Sequence, residues 1–123
     1  MDYKEYLKKY NAQNKIDKLA KRYNKRKIIL YAADDFSEII LKEYDLSSLN
    51  IVAVAGKNNE KYNCINENEL TKYDCDLILI ANYDYQKALI YLDDHILYRT
   101  KYEGIEIRPL IRLNLFDLLL KGN

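Results

Sequence analysis

Three short stretches of the chain are apolar without interruption: residues 28–33 (IILYAA), 51–55 (IVAVA) and 77–81 (LILIA). A strand with one wet face alternates apolar and polar residues, so an unbroken run of this length belongs to a strand covered on both faces. Such strands sit in parallel sheets, whose crossover helices supply the cover. The intervening segments agree. Phe36, Ile39, Ile40 and Tyr44 recur at helical spacing after the first run, and Tyr85, Ala88, Leu89 and Leu92 after the third. Residues 104–108 (GIEIR) read as a short fourth strand stopped at Pro109, and residues 114–122 as a closing helix with a glycine end signal. Between the second and third runs, residues 58–65 read as an irregular loop with a minor strand. Asn66 then caps a helical turn or two, with Glu69 at the third position.

Strands alternating with helices imply right-handed crossovers. The expected fold is α/β: a doubly wound parallel sheet of about four or five strands, with any ligand crevice at the carboxyl ends of the first and third strands. The expected strand order is 2-1-3-4. The first 26 residues stand outside this alternation and form an N-terminal helical arm, so the expected division is a basic arm, 1–26, and a Rossmann-like domain, 27–123. Within the arm, Tyr3, Tyr6, Leu7 and Tyr10 share one helical face and Ile16, Leu19, Ala20 and Tyr23 another. The two faces are out of phase by nearly half a turn, which predicts a break within residues 11–14 and a second helix of about ten residues.

Charge separates the same two parts. Residues 1–27 carry +7 and residues 28–123 carry −6, although the whole chain sums to +1. On the second arm helix Lys15, Lys18, Arg22, Lys25 and Arg26 oppose the apolar stripe. Such a stripe suits an anionic partner, but it suits equally the acidic body of the same chain or of a second copy, and the −6 favours docking. No recognition-helix spacing or RNA-binding motif accompanies it, so nucleic acid is not the expected partner. No apolar run approaches the ~20 residues of a membrane span. The start, MDYKEYLKKY, lacks an apolar signal core, so the expected location is cytoplasmic.

Few residues suggest chemistry. Cys64 and Cys75 share no metal-ligand spacing with the single histidine, His95, and both cysteines read as small buried hydrophobes. His95 is placed near a helix end, where a cation complements the macrodipole. The thirteen tyrosines accompany abundant Lys, Asn and Ile and read as half-buried packing residues. No nucleophile has an evident base, and no metal cluster or carboxylate pair stands out.

The segments 27–41 (KIILYAADDFSEIIL), 45–58 (DLSSLNIVAVAGKN), 62–70 (YNCINENEL) and 73–89 (YDCDLILIANYDYQKAL) resemble, in order and spacing, a small Rossmann-like domain of bacterial surface-polysaccharide and nucleotide-sugar enzymes. The resemblance covers roughly residues 25–95. It implies a domain that binds NAD(P) or a nucleotide sugar, or one that serves as an appended subunit-contact module. The three glycines of that pattern correspond here to Ala32, Asp34 and Ser37. Those glycines permit the turn, the close approach of pyrophosphate and helix–strand packing, respectively. A carboxylate at Asp34 stands where a pyrophosphate belongs, and two unit charges ~4 Å apart cost about 4 kcal/mol at an effective dielectric of 20. Where an acid would hold the ribose, the chain has Gly56 followed by Lys57.

Asp35-Phe-Ser-Glu38 reads as a capping box, with Asp35 accepting from the helix N–H groups and Glu38 reaching back. Asn82 and Tyr83 follow the third strand at the crevice mouth; Asn82 and Asp84 read as caps for the next helix. Paired acids after a first strand also suit a phosphoreceiver domain. Its phosphate-accepting position, however, is Ala81 here, and Arg108 and Pro109 stand where its lysine belongs.

The expected function is therefore that of a non-catalytic, accessory Rossmann-like domain associated with polysaccharide or nucleotide-sugar metabolism. It would act through contacts with a partner protein or a second copy, with no cofactor. Ala32, Asp34, Ser37, Gly56, Lys57, Asn82 and Tyr83 line its degenerate site. The alternatives are a retained NAD(P) or nucleotide-sugar site without the glycine turn, and nucleic-acid binding through the arm.

Overall fold

The computed structural model describes residues 1–97 and 105–113, together with Leu115, Asp117 and Leu119. Strands β1 (Ile28–Ala32), β2 (Ile51–Gly56), β3 (Cys64–Ile65), β4 (Leu77–Ile80) and β5 (Glu106–Pro109) form one sheet in the order β3-β2-β1-β4-β5. Every adjacent pair is parallel. All five residues of β1 and all four of β4 are buried, as their unbroken apolar runs require.

The order corrects the expected 2-1-3-4. Cys64 and Ile65 pair with Val54 and Ala55, so the segment read as a loop with a minor strand is a fifth strand on the β2 edge. Two residues carry too little periodicity to announce an edge strand. The last strand runs on through Pro109, which is paired opposite Ile80; the expected start at Gly104 lies outside the described residues. Proline fits there because β5 is an edge, where the missing N–H faces no partner strand. Of the expected closing helix, Leu115, Asp117 and Leu119 are helical and the rest lies outside the described residues.

Helices α1 (Tyr3–Lys9), α2 (Ala12–Arg22), α3 (Asp35–Glu43) and α4 (Tyr85–Leu92) complete the frame, with a 3-10 helix at Glu67–Lys72 and a π turn at Asp93–Leu97. The pleat sorts strand residues to two faces. Ile28, Leu30 and Ala32 point into a core shared with α1, α2 and α3, while Ile29 and Tyr31 point into one shared with the 3-10 helix, α4 and the π turn. Along α3, Phe36 and Ile40 are buried as expected. Ser37 and Leu41 join them, whereas Ile39 and Tyr44 only flank the core.

The arm is part of this core. Leu7 and Ile16 are fully buried in the cluster that holds Ile28, Leu30, Ile40 and Leu79, and Tyr10 is buried as well. The break between its helices is Tyr10–Asn11, with Asn11 at φ 54° and residues 12–14 already helical. Asparagine tolerates this left-handed turn, which swings the second apolar face round to meet the first. Cations of the arm, and Lys27 just after it, find acids on the body. Arg26 pairs with Asp76 at 3.0 Å and Glu106 at 3.5 Å, Lys27 with Asp74 at 2.6 Å, and Lys15 with Asp117 at 2.6 Å. The Gln13 side-chain amide clamps the Asp45 backbone, donating to its carbonyl and accepting from its N–H. Among the described residues, no helix is long and apolar enough to cross a membrane.

Candidate functional site

The strand order reverses between β1 and β4, and the carboxyl ends of these two strands are where an open α/β sheet holds its ligands. In this chain they are tied together. The Ala33 N–H donates to Asn82 Oδ1 at 2.8 Å, and the Tyr83 N–H donates to Asp34 Oδ2 at 2.9 Å. Each turn thus lends a backbone donor to the other's side chain.

Asp34 also caps α3, which corrects the assignment to Asp35. Its Oδ1 accepts the Ser37 N–H at 2.9 Å, and the Ser37 hydroxyl accepts the Asp34 N–H at 3.1 Å while donating to the Asp34 carbonyl at 2.8 Å. The box closes on Asp34 and Ser37 because Asp34 is extended, at φ −127° and ψ 177°, whereas Asp35 is already the first helical residue. Asp35 and Glu38 face solvent and meet Lys57, whose Nζ lies 3.7 Å and 3.6 Å from them. Lys42 and then Lys57 hold the Glu38 carboxyl below its ordinary range. Asn82 is likewise not a cap: its carbonyl oxygen is taken by Ala33, and Asp84 alone caps α4 through the Lys87 N–H.

Ala32 and Gly56 meet as register partners at the ends of β1 and β2. Gly56 has φ +115°, and a Cβ on it would fall 2.3 Å from the Ala32 carbonyl oxygen, which accepts the Lys57 N–H. Among the described residues, the required glycine therefore stands at the end of the second strand and not in the turn after the first.

Above the clasp lies an aromatic lid. Tyr83 packs on Phe36 at 5.3 Å between ring centroids, and on Tyr3 and Tyr6 of the arm at 5.3 and 5.4 Å. Burial, reinforced by the neighbouring Tyr83 and Tyr10, pushes the Tyr6 phenol up to about 12.

Beside the clasp, toward α4, opens a cavity of about 480 Å³ whose lining includes Tyr31, Glu67 and Tyr91. The Glu67 carboxylate accepts both phenols, Tyr31 at 3.2 Å through one oxygen and Tyr91 through the other. Burial first and Glu67 second hold the Tyr31 hydroxyl well above its ordinary range; for Tyr91 the hydrogen bond to Glu67 comes first. Asp34 and Asp84 also border the cavity, with Lys87 the one cation among the described lining residues. Carboxylates thus outnumber cations among the described lining residues.

The sequence reading missed Tyr31, Glu67 and Tyr91. Glu67 was hidden inside a capped turn, and Tyr31 inside an apolar run; only the fold brings residues 36 and 24 positions apart together.

Elsewhere the structure offers little chemistry. Cys75 is buried as expected, but Cys64 is exposed, because it occupies the outward face of the edge strand β3. His95 is exposed and stacks on Tyr91 at 4.8 Å, with a ring nitrogen 3.1 Å from the Tyr91 carbonyl. Among the described residues no group of three His, Cys, Asp or Glu side chains is placed to hold a metal ion. No family model, curated protein or solved structure matches the chain.

Proposed function

We propose that the chain is a non-catalytic, accessory Rossmann-like module that acts through contacts with other protein chains and holds no nucleotide at its β1–α3 turn. One observation carries this reading: both oxygens of Asp34 are committed inside the protein, one to the α3 N-terminus and one to Tyr83. A helix N-terminus binds an anion through open N–H groups. Here the Ser37 N–H at that end is bonded by a carboxylate of the chain itself, whose charge opposes a second anion. The exposed apolar side chains available to partners include Ile90 on α4, 58 % exposed, and, separately, Leu115 and Leu119. The arm has its own docking site in the core, so it is not the contact surface in this reading. The association with surface-polysaccharide or nucleotide-sugar metabolism rests on the resemblance of residues 25–95.

A thermal-shift panel at ~1 mM NAD⁺, NADPH and UDP-, GDP- and CDP-sugars tests the reading, with wild type and Asp34→Gly side by side. No rise that depends on Asp34 is expected in the wild type. A wild-type rise of several degrees that Asp34→Gly strengthens overturns the reading, because it places a nucleotide at the turn.

A further inference from the structure

Three cations of α2 and two from the chain at and after β5 meet at a second cavity, of about 240 Å³, between α2 and the end of β5. Lys15, Lys18 and Arg22 line it from the helix, and Arg108 and Arg112 from the strand end and the segment after it. Lys15 is neutralised by Asp117, and Arg108 lies 3.4 Å from Glu106. Lys18, Arg22 and Arg112 have no carboxylate partner among the described residues. Leu19, Tyr23 and Leu110 supply an apolar side to the same cavity. Arg22 is held over the Tyr23 ring, its guanidinium carbon 5.5 Å from the centroid.

We infer that this cavity is a binding site for a small phosphorylated molecule, a phosphate ester or diphosphate. Three cations with no carboxylate partner among the described residues, around one concavity, raise the local concentration of anions and cost self-repulsion when it is empty. Arginine forks match phosphate oxygens in pairs, and Arg22 is preorganised by its stacking on Tyr23. The apolar side suits a ring attached to the phosphate. A long nucleic acid needs a track of such contacts, whereas these converge on a space of small-molecule size. The site lies apart from Asp34 and does not depend on the reading of the β1–α3 turn.

The test is calorimetric titration of the full chain with pyrophosphate, ADP, adenosine and a single-stranded oligonucleotide at ~50 mM salt. Pyrophosphate and ADP are expected to bind and adenosine not to. Affinity should fall by about tenfold or more in Arg22→Gln and again in Arg22→Gln/Arg112→Gln. Both side chains are exposed, so the variants keep the fold, and unchanged melting temperatures check this. Asp34→Gly should leave the binding as it was, which separates this site from the turn. No heat from either phosphate overturns the inference, as does binding that survives the double substitution. Binding confined to a single-stranded oligonucleotide overturns it as well, in favour of a nucleic-acid surface.

Discussion

The Asp34 carboxylate reaches across the sheet to the Tyr83 backbone N–H at 2.9 Å, so one side chain both caps α3 and ties β1 to the loop after β4. The two roles are separable. Asp34→Ala removes the cap, worth about 1 kcal/mol, and leaves the Tyr83 N–H to water, for a total loss of about 1–2 kcal/mol. Asp34→Asn keeps one carbonyl oxygen for Ser37 and should lose about half as much. Urea denaturation of the two variants measures the difference.

Gly56→Ala should be more damaging than any change in the β1–α3 turn. Its φ of +115° excludes an L side chain, and the added Cβ meets the Ala32 carbonyl at 2.3 Å. Backbone strain and overpacking together predict a loss of about 3 kcal/mol or more. Loss of amide-exchange protection at Lys57, which donates to that carbonyl, would locate the damage at the β1–β2 ends.

Glu67 holds two phenols, and a glutamine can accept only one of them well. Glu67→Gln should cost about 1–2 kcal/mol, and much of that cost should vanish in a Tyr31→Phe background, because the orphaned hydroxyl is gone. Additive losses in the double-mutant cycle would mean that the two side chains do not interact.

Alkaline pH should destabilise the fold through its buried phenols. The Tyr6 phenol is raised from 10.0 to about 12, and that of Tyr31 is raised as well. The folded chain therefore keeps protons that the unfolded chain releases, so this stability is complete below pH ~10 and declines as pH rises toward ~12. Phenolate absorbance and urea midpoints across pH 8–12 follow it; a midpoint unchanged over that range would contradict the burial of these rings.

In the arm, burial should outweigh charge. Ile16 is fully buried, and Ile16→Ala should cost about 2–5 kcal/mol. Lys4 pairs with Glu43 at 3.5 Å on the open surface, so Lys4→Ala should change stability by less than about 1 kcal/mol. The same denaturation series compares them.

What could be read in advance follows from how local each signal is. The strands in the middle of the sheet were legible because burial on both faces leaves no polar residue in them. The Asn66–Glu69 cap was legible too: the structure forms that box, with the Asn66 N–H donating to Glu69 Oε1 at 3.3 Å. The α3 cap was misread by one residue, since Asp34 and Asp35 are chemically alike and Ser37 and Glu38 can each close a box. The choice is made by the extended backbone of Asp34, next to the Ala33–Asn82 bond, and residues 49 positions apart leave no pattern. The arm's apolar faces were visible, and its charge favoured docking on an acidic body without saying whether that of the same chain or of a second copy. Amphipathicity gives a helix its buried side without saying what buries it.

The core that holds Leu7 and Ile16 also holds Leu110, and Lys15 is bonded to Asp117, 102 positions away. Contacts of that separation make a slow folder, because loop closure precedes the gain from burial. During synthesis the two arm helices emerge before the sheet, and their apolar faces stay uncovered until the sheet has left the ribosome. A nascent chain halted before β5 would therefore offer those faces to chaperones, or to other halted chains.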